Sequence, residues 1–222
     1  TEGQQRRERM ADCEFECSEI YSYLFVGGYY VAGNRALLLE MGITHIVNCS
    51  ASVVENAFSE DPTLRYLSLS MVDGRQDDIC WFLPEVVQFI MRARSVNGKI
   101  LIHCEKGISR SCSYAIAYRI WATGDSWKTC FNFVKKRRKV CAPNTAFTCN
   151  LIELGELIGS GGDSAMANLL FRCAYHLPHD PTTATLKLCR TAETRKIITP
   201  STSMLDPLGV FVLRMVPTHE GG

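Results

Sequence analysis

An α/β fold is what this 222-residue sequence predicts: a mainly parallel central sheet flanked by helices on both faces, with a C-terminal extension. Three observations carry that expectation. Short β-branched runs alternate with stretches of helical periodicity, and the strongest runs are apolar throughout, as strands buried on both faces are. With 46% hydrophobic residues, the chain can also bury a full core and still carry a smaller unit.

Residues 1–17 are a polar N-terminal segment, after which Ile20 to Val26 reads as an opening strand ending at the Gly27-Gly28 turn. Asn34 is placed to cap a short helix through Leu37–Met41, and Gly42 to stop it. Ile43 to Cys49 is β-branched enough to be a central strand. Tyr66–Leu69 and Lys99–Ile102 are the third and fourth strands. Between those two, Phe82 to Ala93 sets Val86, Phe89 and Ile90 at helical spacing, with Pro84 suited to the first turn. Further helices are expected over 111–122, 126–140 and 144–158, which closes a main domain at 18–158. Residues 159–167, rich in glycine and serine, read as a flexible linker. In the extension, 168–222, only Val210 to Met215 reads as a clear strand, too little to close an independent domain.

Composition narrows the function classes. The formal net charge of +1 gives no reason to expect a nucleic-acid partner. No run of ~18 apolar residues occurs and residues 1–9 are charged, so neither a membrane span nor a signal peptide is expected. Eleven scattered cysteines, without a Cys-x2-Cys pair, suggest neither a disulfide framework nor a zinc site. Cys13, Cys17, His45 and Cys49 lack a second close pair to complete a metal set, so no metal or other cofactor is expected. A reducing compartment, the cytoplasm, fits this usage.

The chemistry concentrates in His103-Cys104-Glu105-Lys106-Gly107-Ile108-Ser109-Arg110-Ser111, between the apolar run ending at Ile102 and a helical stretch. In a strand-loop-helix of this kind, successive backbone N–H groups converge on one point and the helix N-terminus adds positive partial charge. The amides of Glu105 to Arg110 therefore suit an oxyanion, one phosphate in size. Cys104 sits at the floor of that nest, and such donors lower a thiol's pKa below its free value of about 8.5. Gly107 lets the loop bend and the backbone approach the ligand. Arg110 can return a bidentate fork to two oxygens, which a lysine cannot match. Ser111 is placed to donate to the cysteine sulfur when a covalent intermediate breaks down. The bland reading, a buried structural cysteine, leaves the glycine and arginine unexplained.

These residues resemble the Cys-x5-Arg signature of the protein tyrosine phosphatase superfamily, and Gly107-Ile108-Ser109-Arg110-Ser111 resembles its dual-specificity branch. Agreement extends to Ser18-Glu19-Ile20, Leu24 to Gly28, Gly42 to Asn48, Ile116-Ala117-Tyr118 and Pro143-Asn144. Departures are Lys106 in the loop and Ala146 and Asn150 after the Pro-Asn pair, which bear on substrate preference.

The resemblance implies an acid loop at Met71 to Ile79, with Asp73 as proton donor, Asp78 as cap of the following helix and Asp77 as the weaker competitor. Taken alone, this acidic turn reads as a solvated loop. His103 is expected to tune the thiolate and brace the loop. Within the basic run Lys135 to Lys139, Arg138 resembles a family position that faces a second phosphate. The run as a whole reads first as a solvated helix face, then as a docking patch or nuclear signal. Cys49 lies where some relatives carry a resolving cysteine; an inert buried thiol is the competing reading. Cys80 and Cys112 are lesser candidates.

The implied activity is hydrolysis of phosphotyrosine and phosphoserine or phosphothreonine through a cysteinyl-phosphate, on a phosphorylated protein, a mitogen-activated protein kinase. One alternative is a nonprotein phosphate such as a phosphoinositide or an RNA 5′ end, against which Ile108 and Arg110-Ser111 argue. Another is a noncatalytic phosphoprotein-binding scaffold. In the extension, Leu170-Phe171-Arg172, His179-Asp180-Pro181 and Leu205 to Leu213 resemble the lead-in to the gelsolin-like module of plant-type relatives.

Overall fold

The computed structural model describes residues 15–74 and 77–161, and the backbone of three strands within 170–212. Five strands form the main sheet: β1 (Ser18–Tyr21), β2 (Leu24–Gly27), β3 (Ile43–Asn48), β4 (Arg65–Ser68) and β5 (Lys99–His103). Their spatial order is β1-β2-β5-β3-β4, with every pairing parallel except β1 with β2. The single opening strand expected over 20–26 is thus a hairpin that turns at Ser22-Tyr23 and pairs Ser18 with Val26. No glycine or proline marks that turn, so the apolar run looks continuous in sequence.

β5 occupies the centre because it can be buried on both faces: Ile100, Leu101 and Ile102 are wholly inaccessible. Strand alternation then sorts the core into two layers. Leu101, Phe25 and Ile46 face the short helices α1 (Tyr29–Ala32) and α2 (Arg35–Met41) through Val31 and Leu38. Ile100, Ile102, Leu24, Val26 and Val47 face the larger layer of α3 (Leu83–Ser95), α4 (Arg110–Thr123), α5 (Trp127–Arg137) and α6 (Thr145–Gly161). Local signals set the helix ends. The Asn34 side chain accepts the Leu37 amide at 3.1 Å, and Gly42 closes α2 at φ +70°. Pro84 stands in the first turn of α3, and Ser126 caps α5 by accepting the Thr129 amide.

Two helix ends differ from expectation. α5 stops at Arg137 because Arg138 adopts an extended backbone and turns its side chain inward. α6 continues through Gly159–Gly161, the start of the expected linker; residues 162–167 lie outside the described residues. Among the described residues the extension holds not one strand but three, β6 (Leu170–Tyr175), β7 (Ala184–Leu188) and β8 (Val210–Val212), antiparallel in the order β7-β6-β8. Their identity as strands comes from pairing at long sequence separation, which local pattern does not report. His179-Asp180-Pro181 lies outside the described residues. No described helix is long and apolar enough to cross a membrane.

Candidate active site

The site forms where β5 ends and α4 begins. Cys104 to Ser109 span that gap, and the loop folds back on itself because Gly107 takes φ +68°. No other residue fits there: a Cβ on Gly107 would lie 2.5 Å from the Gly27 carbonyl group and 2.6 Å from Arg138 Nη2. Neighbouring backbone fixes the loop at three points. Cys49 N donates to His103 O at 2.8 Å, Tyr29 N to Glu105 O at 3.0 Å, and Ala142 N to Ile108 O at 2.9 Å.

Cys104 is buried at the base of the loop, where its Sγ accepts the Gly107 amide at 3.2 Å and lies 3.3 Å from Ser111 Oγ. His103 beside it is equally buried, and that burial lowers its pKa to about 4, so its ring is neutral at neutral pH. Its Nδ1 meets the Cys104 carbonyl at 3.4 Å; a carbonyl only accepts, so Nδ1 carries the proton. Glu105 and Lys106 are exposed, Ile108 is half-buried and Ser109 is buried.

Arg110 opens α4 with only 5% of its surface accessible. Its Nη1 donates to Met71 O at 3.0 Å and its Nη2 stands 3.5 Å from Glu105 Oε2, which ties the start of the loop to its end. Its Nε lies 3.8 Å from Asp73 Oδ2 and has no hydrogen-bond partner among the described residues. A buried guanidinium N–H without an acceptor is costly unless an anion completes it. Asp73 itself, about one third exposed, accepts Ser109 Oγ at 2.8 Å and Asn144 Nδ2 at 2.7 Å through Oδ1. The thiol and the guanidinium thus stand at the two ends of one loop, and the Asp73 carboxyl reaches the guanidinium end from a second segment.

The family model for the dual specificity phosphatase catalytic domain matches residues 24–156, which contain all of these groups. The chain belongs to that family. Among the chain's curated relatives is the protein-tyrosine-phosphatase MKP1 of Arabidopsis thaliana, 32% identical over 96% of this chain and 26% of the relative. Another is dual specificity protein phosphatase 1 of Mus musculus, 30% identical over 76% of this chain and 49% of the relative. The chain thus spans between a quarter and half the length of these relatives. Solved structures agree on the fold. The human tyrosine phosphatase-like serine/threonine/tyrosine-interacting protein matches at a TM-score of 0.56 and 32% identity, over 61% of this chain and 92% of that one. DUSP15 matches at 0.58 and 27% identity, over 63% and 86%.

Other residues expected at the site fall in different places. Arg138 does not face a second phosphate: it is wholly buried behind the loop. Its Nε donates to Gly107 O at 2.6 Å, and its Nη1 to Glu16 O and Ser18 Oγ at 3.0 Å each. The basic run is not one solvated face either, because Lys135 donates to Cys141 O and Arg137 stacks on Phe133. Asp77 is buried with its carboxylate accepting the Val72 amide at 2.7 Å, a bracing role for the acid loop. Asp78 does not cap α3, whose first residue lies five positions on; its carboxylate accepts the Cys80 amide in a local turn.

Cys49 is buried beside the site, its thiol pushed well up by burial and, after that, by the neighbouring Cys104. Cys112 is buried behind the loop and donates to Gly107 O. Cys80 is buried in the core. Two asparagines carry more than sequence reasoning gave them. Asn144 caps α6 through Oδ1 to Phe147 N while its Nδ2 holds Asp73, and Asn150 accepts the Ile79 amide at 3.3 Å. The Pro143-Asn144 pair was visible in sequence; its reach to a residue 71 positions away was not.

Proposed function

We propose that this chain is a protein phosphatase acting on phosphotyrosine and on phosphoserine or phosphothreonine, with Cys104 as nucleophile, Asp73 as general acid and base, and Arg110 as the clasp on the transferred group. The observation that carries this reading is Arg110 Nε, buried, without a hydrogen-bond partner among the described residues and 3.8 Å from Asp73, at the end of the loop whose base holds the Cys104 sulfur. An arriving phosphate dianion gives that Nε its acceptor and loosens Asp73 from the guanidinium.

In the first step the Cys104 sulfur bonds to phosphorus as the ester P–O bond breaks, and Asp73 in its acid form gives its proton to the leaving oxygen. In the second, the Asp73 carboxylate takes a proton from water, whose oxygen bonds to phosphorus while the S–P bond breaks. Ser111 Oγ, 3.3 Å from the sulfur, donates to the departing thiolate. The loop amides and Arg110 hold the charge of the transferring group, a preorganised electrostatic term that is often the largest. Neutral His103 gives no charge to this step; it fixes the Cys104 backbone.

A protein substrate is supported by relatives named for protein tyrosine and dual specificity phosphatases. A mitogen-activated protein kinase is the specific protein we assign, on the resemblance. The test is hydrolysis of a small aryl phosphate and of doubly phosphorylated kinase peptides. Cys104→Ser should lower turnover by on the order of 10³-fold or more. Asp73→Ala should lower kcat by about 10²-fold with peptide binding kept. Wild-type rates in either variant would contradict the assignment.

A further inference from the structure

We propose that a cavity at the β4 edge of the main sheet, lined by His45, Leu64, Arg65, Phe89 and Arg92, is a second ligand site that takes a small organic acid: a carboxylate on an apolar or aromatic body. The proposal stands apart from the phosphatase reading, because none of these residues belongs to the catalytic loop or the acid loop.

Strand order and helix spacing build the cavity. β4 is the last strand of the sheet, so no described strand covers its outer edge. In the parallel pair of β3 with β4, His45 and Arg65 stand directly opposite each other. On α3, Phe89 and Arg92 lie three residues apart and so share one helix face. These four groups, with the buried Leu64 and the polar Asn56, line about 560 Å³, within the size range of small-molecule sites.

The charge in this cavity is uncompensated. Arg65 and Arg92 line it, and no aspartate or glutamate among the described residues does. Neither guanidinium has an ion pair or a hydrogen bond among the described residues, whereas Asp61, three residues before Leu64, is held by Arg35. Two like charges on one cavity repel, and an anion between them relieves the repulsion while accepting charge-assisted hydrogen bonds. The His45 ring adds a neutral partner. Burial and, after it, the Arg65 charge lower its pKa, and its Nδ1 is 2.8 Å from Thr44 Oγ1, which leaves Nε2 to meet a ligand. Phe89 meets that ring edge-on with centroids 5.4 Å apart and, with Leu64, gives the cavity an apolar wall. A cationic side next to an apolar one is matched by an aromatic or aliphatic carboxylate, and only half matched by a bare ion.

The cavity is also separate from the catalytic loop. Asn48 pairs with His103, the residue before Cys104, and His45 lies three residues back along β3, roughly 10 Å away at the rise of a strand.

The probe is naphthalene-2-carboxylate, titrated into the full chain by ligand-observed NMR, with 2-naphthylmethanol as its uncharged counterpart and acetate as the anion without a body. The wild type should bind the probe saturably, with a Kd of about 1 mM or tighter, and both counterparts at least about tenfold more weakly. Both arginines are exposed and unbonded, so their removal should leave the fold intact. Arg65→Ala and Arg92→Ala should each weaken the probe by about tenfold, and Lys136→Ala, which removes an exposed charge on α5, should not. The probe should leave KM for a small aryl phosphate unchanged, and both arginine variants should hydrolyse that substrate as the wild type does.

No saturable binding by the wild type, or equal binding by the Arg65→Ala and Arg92→Ala double variant, would overturn the site. So would competition with the aryl phosphate that survives in the double variant, which would put the probe in the catalytic loop. Arginine-dependent binding of a peptide of alternating glutamate and leucine, with none of the probe, would overturn it too, and would make the cavity a contact for an acidic protein segment.

Discussion

The two loops that meet at the active site are held in opposite ways. The catalytic loop, Cys104 to Ser109, is gripped from behind by groups that belong to the core: the wholly buried Arg138 on the Gly107 carbonyl, and amides of Cys49, Tyr29 and Ala142 on or beside it. The acid loop, from Met71 to Ile79, leans on side chains that reach it from elsewhere. Ser109 and Asn144 hold Asp73, Arg110 holds the Met71 carbonyl, and Asn150 holds the Ile79 amide. The proposed nucleophile is thus placed by the fold, whereas the proposed proton donor is placed by the site. Damage behind the first loop should cost stability, and damage around the second should cost rate.

The largest expected effect tests the grip on the catalytic loop. Arg138→Met removes the buried donors that serve the Gly107 and Glu16 carbonyls and the Ser18 hydroxyl, and should lower unfolding free energy by about 4 kcal/mol, read by urea denaturation. The same variant should leave unchanged the ratio of rates on doubly and singly phosphorylated peptides. Full stability with a lost preference for the second phosphate would restore the substrate-facing role that burial removes.

A similar effect on stability should come from pH. His103 is neutral in the folded chain with a pKa of about 4, against an ordinary value of 6.5, because burial disfavours its charged form. Between those values the unfolded chain binds a proton that the folded chain does not. Stability contributed at neutral pH is therefore lost as pH falls through 6.5, and the loss levels off below about 4, reaching about 3 kcal/mol. Urea melts across this window should show a slope that His103→Gln lacks; identical slopes would mean that the ring is not held neutral.

The smallest effect probes the acid loop. Asn144→Ala removes one of two hydrogen bonds to Asp73 and should reduce kcat by about fivefold, with little change in aryl phosphate KM. In an Asp73→Ala background the same change should do almost nothing, since its effect runs through that carboxyl. Additive losses would separate Asn144 from proton transfer.

What sequence revealed follows the same division. Cys104, Gly107, Arg110 and Ser111 were legible because strand, loop and helix are contiguous and the chemistry is written in one nonapeptide. The alternating core was legible from Ile43 to Asn48 and Lys99 to Ile102 for the same local reason. The opening hairpin was not, since Ser22-Tyr23 turns without a glycine or proline. Arg138 misled because a run of five basic residues looks like one wet face, and composition does not report that the helix ends at Arg137 and the next side chain folds inward. Asn144 was visible as part of the Pro143-Asn144 pair, but its hold on Asp73 exists only once α6 and the acid loop pack together. Of the strands in the extension, β8 was legible and β6 and β7 were hidden, because their pairing is with partners distant in sequence.

The central claim is a covalent one, so the most direct measurement is to trap it. Rapid acid quench of the chain during turnover of a phosphopeptide, followed by peptide mass mapping, should find one phosphoryl group on Cys104, with greater accumulation where Asp73→Asn slows the hydrolytic step for an activated aryl phosphate. A phosphoryl group on any other residue, or turnover that persists with none on Cys104, would contradict the account.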